Sequence, residues 1–217
     1  MIPESHTRIP VSVIRRLPRY LTQAQRLHQD GVEWVSSVSL AKELGLTSST
    51  VRQDLSHIDF QGISKRGYST GGLKTALAMT LGVDRDIGCV LVGAGNLGRA
   101  LAMHEEFSRQ GFKIGGVFDN HPSVVGKKVG RFIVKPVGEL PSIIYDLRLE
   151  IGIISVPHDA AQQAADVLIQ AGIQGLLNMT TAHLHVPDAI PVVDARILLS
   201  LRELAYAVRS GRRGSAS

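Results

Sequence analysis

Gly93-Ala94-Gly95-Asn96-Leu97-Gly98 follows the apolar run Cys89-Val90-Leu91-Val92 and opens a helical stretch. Between a strand and a helix, the first glycine of such a turn makes the bend and the second lets the backbone approach a pyrophosphate. The third lets helix pack on strand, and the helix N-terminus supplies amide donors to the anion. Asp119 ends the next predicted strand 21 residues after Gly98, near the separation of about 20 at which a carboxylate binds the adenosine ribose hydroxyls. A carboxylate there repels a 2′-phosphate, so the spacing favours NAD(H) over NADP(H), with Lys127 and Lys128 downstream as the contrary signal. A βα turn that binds nothing is the plain alternative. Further on, Ser155-Val156-Pro157-His158 stands at the end of a strand, on the sheet edge where ligands of such folds bind. The backbone of Val156 and Pro157 is placed to line the nicotinamide side.

Ala41, Gly45 and Val51, at intervals of four and six, fall between two short amphipathic helices. A small residue lets helices approach, glycine takes the left-handed conformation of a tight turn, and a β-branched residue locks the second helix on the first. That is helix-turn-helix spacing. It directs Arg52 and Gln53 to base edges in the major groove and Ser48, Ser49 and Ser56 to phosphates. Lys65 and Arg66 fall in a glycine-rich segment, Gln61 to Gly72, that predicts a two-stranded wing making backbone or minor-groove contacts. An ordinary helical hairpin in a small bundle is the competing reading.

Other polar groups suggest less. His158 is a solvated loop histidine unless a dehydrogenase uses it as proton donor. His183 and His185 have the alternation of a metal-ligand pair, but without a Cys or carboxylate at ligand spacing they read as the exposed face of a strand, and no metal site is expected. Cys89 lies in mid-strand and reads as core. No Ser/His/Asp or Cys/His arrangement can be placed.

The elements that carry these groups change period along the chain. Ile14, Leu17, Leu21, Ala24 and Leu27 recur at helical spacing, with Pro18 forcing a late start or a kink. A helix capped by Ser36 or Ser37 runs to Leu44, and one capped by Thr47 or Ser48 runs to about Ile58. From Ile87 the pattern becomes βαβ, with strands near 113–118, 132–134, 152–156 and 175–178. Helices are expected from the glycine turn to Gln110 and near 142–147 and 159–170. A last helix, about 196–209, carries the seam Leu198, Leu201, Ala205 and Val208, and the tail from Gly211 reads as disordered. The domains are accordingly 1–83 for winged-helix DNA binding, 84–195 for a Rossmann NAD(H) domain, and 196–217 for a dimerisation helix and tail.

Length and composition agree with this division. The 217 residues are 44% hydrophobic and 20% charged with one Cys, a soluble globular composition without an internal disulfide. Of the net charge of +5, the first 83 residues hold +4, from 10 Lys/Arg against 6 Asp/Glu, which suits a polyanion partner. No stretch reaches the roughly 18 uninterrupted apolar residues of a membrane helix, and no signal-peptide pattern opens the chain. A cytoplasmic setting is expected.

The chain resembles the Rex family of bacterial redox-sensing transcriptional repressors over nearly its whole length. The likeness is carried by Arg15-Arg16-Leu17-Pro18-Arg19-Tyr20, Val51-Arg52-Gln53-Asp54-Leu55-Ser56, Lys65-Arg66-Gly67-Tyr68, the run from Val92 to Leu101, Phe118-Asp119 and Val156-Pro157. It continues in Ala171-Gly172-Ile173-Gln174-Gly175 and Leu204-Ala205-Tyr206-Ala207. The resemblance implies a homodimer that binds inverted-repeat operator DNA when NAD⁺ prevails and leaves it when NADH rises. It also implies a terminal helix exchanged between protomers at the nicotinamide pocket. It adds Arg15 and Arg16 to the DNA contacts and Met179 to the cofactor contacts. An Arg, a Tyr and an Asp that couple the two functions in some members align with Thr22, His104 and Arg196. This chain departs from the family there, at Asn178-Met179-Thr180-Thr181, where members often have Asn-Phe and a later proline, and at Ile197, where a phenylalanine is frequent.

Two other readings compete with an NADH-responsive repressor. One is a constitutive DNA-binding regulator with a structural NAD(H) site. The other is an enzyme: a small NAD-dependent oxidoreductase, or a CoA-binding half of an acyl-CoA ligase. The 124 residues after Gly93 leave little room for a substrate domain, and a ligase would not account for the first 83 residues, so catalysis is not expected.

Overall fold

Leu17, Tyr20, Leu21 and Ala24 all lie buried on one face of a helix, α2 (Leu17–Gln29). The structure, a computed structural model, describes residues 9–195 and 197–214, and the chain divides into two compact units, Met1–Arg85 and Asp86–Ser217. In the first unit a four-residue helix, α1 (Val11–Ile14), precedes α2. Pro18 falls in the first turn of α2, where its missing N–H costs no helical hydrogen bond, so the helix starts late. Then come β1 (Trp34–Val35), α3 (Ser37–Leu44), α4 (Ser48–Leu55), β2 (Tyr68–Ser69) and α5 (Thr70–Leu81). Ser36 caps α3 and Thr47 caps α4, each side-chain oxygen accepting an amide three residues on, at 3.0 and 3.1 Å. Gly45 ends α3 with φ +65°, the left-handed conformation that the helix-turn-helix turn demands. Beneath the two helices, Leu40, Val51 and Leu55 are essentially inaccessible to solvent.

The wing differs from its sequence expectation. Within Gln61–Gly72 only the bridge Ile63↔Gly67 pairs, and the partner of β2 is β1, from before the helix-turn-helix, with Trp34 opposite Ser69 and Val35 opposite Tyr68. Gly71 and Gly72, expected in the wing, lie in the first turn of α5, where Ser69 accepts the Gly72 amide at 3.3 Å. Two adjacent glycines masked a helix that tertiary packing of Leu73 and Leu77 stabilises.

The second unit is a six-stranded, wholly parallel sheet in the order β10-β9-β8-β3-β4-β7. Its strands are β3 (Ile87–Val92), β4 (Phe112–Asp119), β7 (Lys135–Pro136), β8 (Ile151–Ile154), β9 (Gly175–Asn178) and β10 (Val192–Asp194). The chain steps outward from β3 through β4 to β7, then returns to β8 on the other side of β3. That reversal makes the crevice beyond the ends of β3 and β8 the ligand position of a doubly wound sheet. Side chains alternate along β3: Val90 and Val92 join the core under α8 (Leu140–Leu147) and α9 (Ala161–Gln170), while Cys89 and Leu91 join the core on the opposite face.

Three elements differ from their sequence expectation. The helix to Gln110 breaks at His104 into α6 (Asn96–Met103) and α7 (Glu105–Arg109), because His104 turns to an extended ψ of 103° and its ring accepts the Glu106 amide as a cap. Phe132–Ile133 (β6) pairs antiparallel with Lys128–Val129 (β5) outside the main sheet, and the short β7 takes the expected place. The terminal helix α10 (Ile197–Gly214) runs past Gly211 into the segment read as a tail, while residues 215–217 lie outside the described residues. Ile197, Leu198, Leu201, Leu204 and Val208 of α10 are each 49–60% exposed.

Candidate functional site

At the strand-order reversal, the Ser155 amide donates to the Val92 carbonyl at 2.8 Å, which closes β8 onto the end of β3. Gly93 turns there with φ +102°, and a Cβ on it would run into the Ser155 carbonyl. A Cβ on Gly98 would run into the Gly93 carbonyl, so the third glycine is what seats α6 against the strand. Gly95 is different, because a Cβ there would meet nothing within 4 Å. It occupies the N-cap of α6 without a capping side chain, leaving the first-turn amides open to an anion. Arg99 braces the turn from the other side, its Nε donating to the Ala94 carbonyl at 2.8 Å.

The cleft is a cavity of about 290 Å³ with Gly93, Gly95, Asp119, His121, Val156 and Pro157 among its walls. Asp119 Oδ2 accepts the Ala94 amide and Oδ1 the His121 amide, both at 2.8 Å. Open amides, a carboxylate at the far strand end and an apolar wall fit a dinucleotide with free ribose hydroxyls. Of the remaining cofactor candidates, Ala94 and Gly98 are buried in the turn and Asn96 and Leu97 are exposed in the first turn of α6. Met179 does not line the cavity and packs half-buried against the cluster of Leu91 and Ile153. Ser155, named with Val156 and Pro157 at the strand end, lies on the cavity wall beside them, whereas sequence reasoning passed over His121 and Gln163, which no motif announces. Asn178, marked by the sequence only as the start of the stretch 178–181, has a fully buried amide that donates to Ala182 O at 2.9 Å and Asp194 Oδ1 at 2.8 Å, fixing the loop beyond β9. His158 Nδ1 lies 3.1 Å from Thr181 Oγ1, linking the ends of β8 and β9.

In the first unit Ser49, Arg52, Gln53 and Ser56 are exposed on α4, and Ser48 is half-buried at its start. Arg52 Nη1 donates to Ser37 Oγ at 3.3 Å, and Ser56 Oγ turns back to the Gln53 carbonyl at 2.7 Å. Lys65 takes φ +63°, a left-handed conformation that throws it outward at the wing tip, and the Arg66 guanidinium stacks 4.0 Å above the Trp34 ring. Arg15 is exposed between α1 and α2.

The comparisons with known proteins bear on both units. Residues 8–56 match a family described as putative DNA-binding protein N-terminus, and residues 84–182 match a CoA binding domain family. The redox-sensing transcriptional repressor Rex of Clostridium beijerinckii is 36% identical over 203 residues, covering 94% of this chain and 96% of that protein. Its counterpart from Maridesulfovibrio salexigens is 40% identical over 184 residues, covering 85% and 88%. The chain belongs to the Rex family. Among solved structures, RSP, a Rex-family repressor, in complex with beta-NAD⁺ and operator DNA is similar at 33% identity. It has a TM-score of 0.89 and covers 97% of this chain and 100% of that one. RSP in complex with beta-NADH is similar at 34% identity and a TM-score of 0.85, covering 96% and 98%. These Rex relatives are transcriptional repressors, not enzymes.

Several residues singled out by the Rex resemblance are differently employed. Arg16, expected on DNA, turns inward: its Nε and Nη2 donate to the two Asp54 carboxylate oxygens at 2.6 Å each, and Tyr20 Oη donates to Asp54 Oδ2 at 2.7 Å. Burial pushes the Asp54 carboxyl up, but the hydrogen bonds from Arg16 and Tyr20 outweigh it and hold the group below the usual carboxylate range. Burial and the Asp54 bond push the Tyr20 hydroxyl well up, and the Asp54 bond raises Arg16. Of the coupling positions, Thr22 bonds back to the Pro18 carbonyl at 3.0 Å, and His104 caps α7 with its ring edge-on to Phe107 at 5.7 Å. Arg196 lies outside the described residues. His183 and His185 are exposed as expected but sit on a loop rather than a strand, their rings edge-on at 5.2 Å. Among the described residues no three His, Cys, Asp or Glu side chains group as a metal site.

Proposed function

We propose that this chain is a transcriptional repressor that binds inverted-repeat operator DNA as a homodimer and reads the NADH/NAD⁺ ratio, NADH releasing it. The observation that carries the reading is the glycine turn at the strand-order reversal, closed by Asp119, in a chain whose other unit presents the exposed polar face of α4. NAD(H) is held by Gly93, Ala94, Gly95, Asn96, Leu97 and Gly98 through backbone amides and close approach, by Asp119 at the adenosine ribose, and by Val156 and Pro157 at the nicotinamide end. Coenzyme A carries a ribose 3′-phosphate, which the Asp119 carboxylate would repel, so the second matched family lends its fold rather than its ligand. DNA is bound by Arg15, Ser48, Ser49, Arg52, Gln53 and Ser56, with Lys65 and Arg66 from the wing. The exposed apolar face of α10 supplies the dimer contact. The site of action is the cytoplasm, in keeping with a DNA ligand and with the lack, among the described residues, of any helix long and apolar enough to cross a membrane.

The redox input is the nucleotide rather than a thiol. Cys89 is 1% exposed and burial pushes its thiol up to about 11, so it offers oxidants little thiolate. NADH then acts by stabilising the dimer geometry that does not bind DNA, typically by about 1–3 kcal/mol.

The deciding experiment titrates the protein against labelled inverted-repeat DNA by fluorescence anisotropy at fixed salt, without nucleotide and with NAD⁺, NADH or NADPH. Release by NADH alone supports the reading. Equal affinity in all four supports a constitutive regulator with a structural nucleotide, a reading favoured by Thr22 and His104, whose polar atoms bond their own helices.

A further inference from the structure

Asp54 follows Arg52 and Gln53 on α4, yet its side chain is 2% exposed while theirs face solvent. Each of its carboxylate oxygens is claimed: Oδ1 by Arg16 Nη2, and Oδ2 by Arg16 Nε and Tyr20 Oη. Arg16 is the N-cap residue of α2 and Tyr20 lies one turn on, so three side chains join the start of α2 to the second half of α4 across 34 to 38 positions of sequence.

Val51 and Leu55 already bury the inner face of α4. Apolar burial is non-directional, so by itself it tolerates small rotations of an eight-residue helix about its axis. A bidentate guanidinium–carboxylate fork does not, because both N–H···O bonds must stay in one plane. Buried pairs of this kind give little net stability compared with apolar side chains of equal volume. Fixed geometry is the better account of one that is kept.

We infer that Arg16 and Tyr20 are positioning residues for sequence reading, holding α4 through Asp54 at the rotation that presents Arg52 and Gln53 to base edges. The inference rests on the DNA-binding function proposed above. Arg16 then serves operator recognition without touching DNA, and its loss lowers specific affinity while leaving phosphate contacts as they were.

The test compares the full chain with R16M/D54L, R16K and Y20F. The probes are an inverted-repeat duplex selected by the wild-type protein from random DNA and a scrambled duplex of the same composition. Anisotropy is read over a salt series, with thermal unfolding in parallel. R16M/D54L strands the buried Tyr20 hydroxyl and is expected to unfold somewhat below the wild-type temperature, to keep its affinity for scrambled DNA and its salt slope, and to lose about tenfold or more in operator preference. R16K keeps the charge but not the fork, and it and Y20F are expected to lose preference by smaller factors. A folded R16M/D54L with wild-type preference overturns the inference and leaves the cluster a role in stability alone. If the double variant does not fold, undiminished preference in both R16K and Y20F overturns it instead, and reduced preference supports it. A wild-type protein from which no preferred duplex can be selected overturns the DNA-binding reading itself, a distinct failure.

Discussion

The Asp119 carboxylate accepts the Ala94 amide at 2.8 Å, so the acid that ends β4 and the glycine turn that follows β3 are held as one unit 25 positions apart. Asp119 therefore organises the turn, and in the function proposed above the same carboxylate faces the ribose 2′-oxygen. Asp119→Ala should weaken NADH binding by about 1.5–3 kcal/mol, as for loss of a charged hydrogen-bond partner. It should also narrow the preference for NADH over NADPH. Calorimetric titration with each nucleotide measures both, and unchanged selectivity would show that Asp119 does not face the ribose.

The three glycines of the turn should separate binding from folding. Gly98→Ala forces a Cβ into the Gly93 carbonyl and should cost about 1–3 kcal/mol of stability. Gly95→Ala has room and should leave the melting temperature alone while obstructing the pyrophosphate. Thermal melts with and without NADH would distinguish the two, and a G95A protein that NADH still stabilises fully would remove Gly95 from the site.

Asp54 gives the first unit an acid limit. Its folded pKa lies below the unfolded value of about 3.9, so its contribution is present above that value and is lost as pH falls through the folded pKa. Asp54→Asn leaves Arg16 without its buried partner and should cost about 3–5 kcal/mol at neutral pH while flattening the pH dependence below about 4. Trp34, the chain's one tryptophan, lies in this unit under Arg66 and reports its unfolding by fluorescence.

Thiol chemistry should be silent. Dilute peroxide or iodoacetamide at neutral pH should modify Cys89 only on the timescale of local opening, because burial pushes its thiol up to about 11. DNA affinity should be unchanged after either treatment and still respond to NADH. Peroxide-dependent release by the wild type that a Cys89→Ala variant does not show would relocate the redox input.

The exposed apolar side chains of α10 should be the dimer's anchor. Leu201→Glu with Leu204→Glu should convert the protein to a monomer in light scattering and weaken operator binding, since two half-sites bound by linked units exceed either alone. A dimer that survives both substitutions places the interface elsewhere.

What the amino-acid sequence determined by itself was whatever depends on neighbours a few residues away. Ser36 and Thr47 cap their helices, and Gly45 turns left-handed between them. The Gly93–Gly98 turn follows a strand and opens a helix, because each of these is settled by backbone sterics and amide donors within about one turn of chain. Val156 and Pro157 were legible as the end of an apolar strand, and with Gly93, Gly95 and Asp119 they line one cavity. Tertiary structure decided the partners that lie far off. Arg16, three residues from the equally basic Arg19, is drawn inward by an aspartate 38 positions later, whereas Arg19 reaches the Leu44 carbonyl at 2.6 Å. β2 pairs with β1 across the helix-turn-helix, β10 extends the sheet from a segment too short to show alternation, and Met179 packs into a core instead of lining the cleft. No local pattern encodes these outcomes, because a buried charge takes whichever opposite charge packing brings within reach, and a two- or three-residue strand exists only where another strand's free edge meets it.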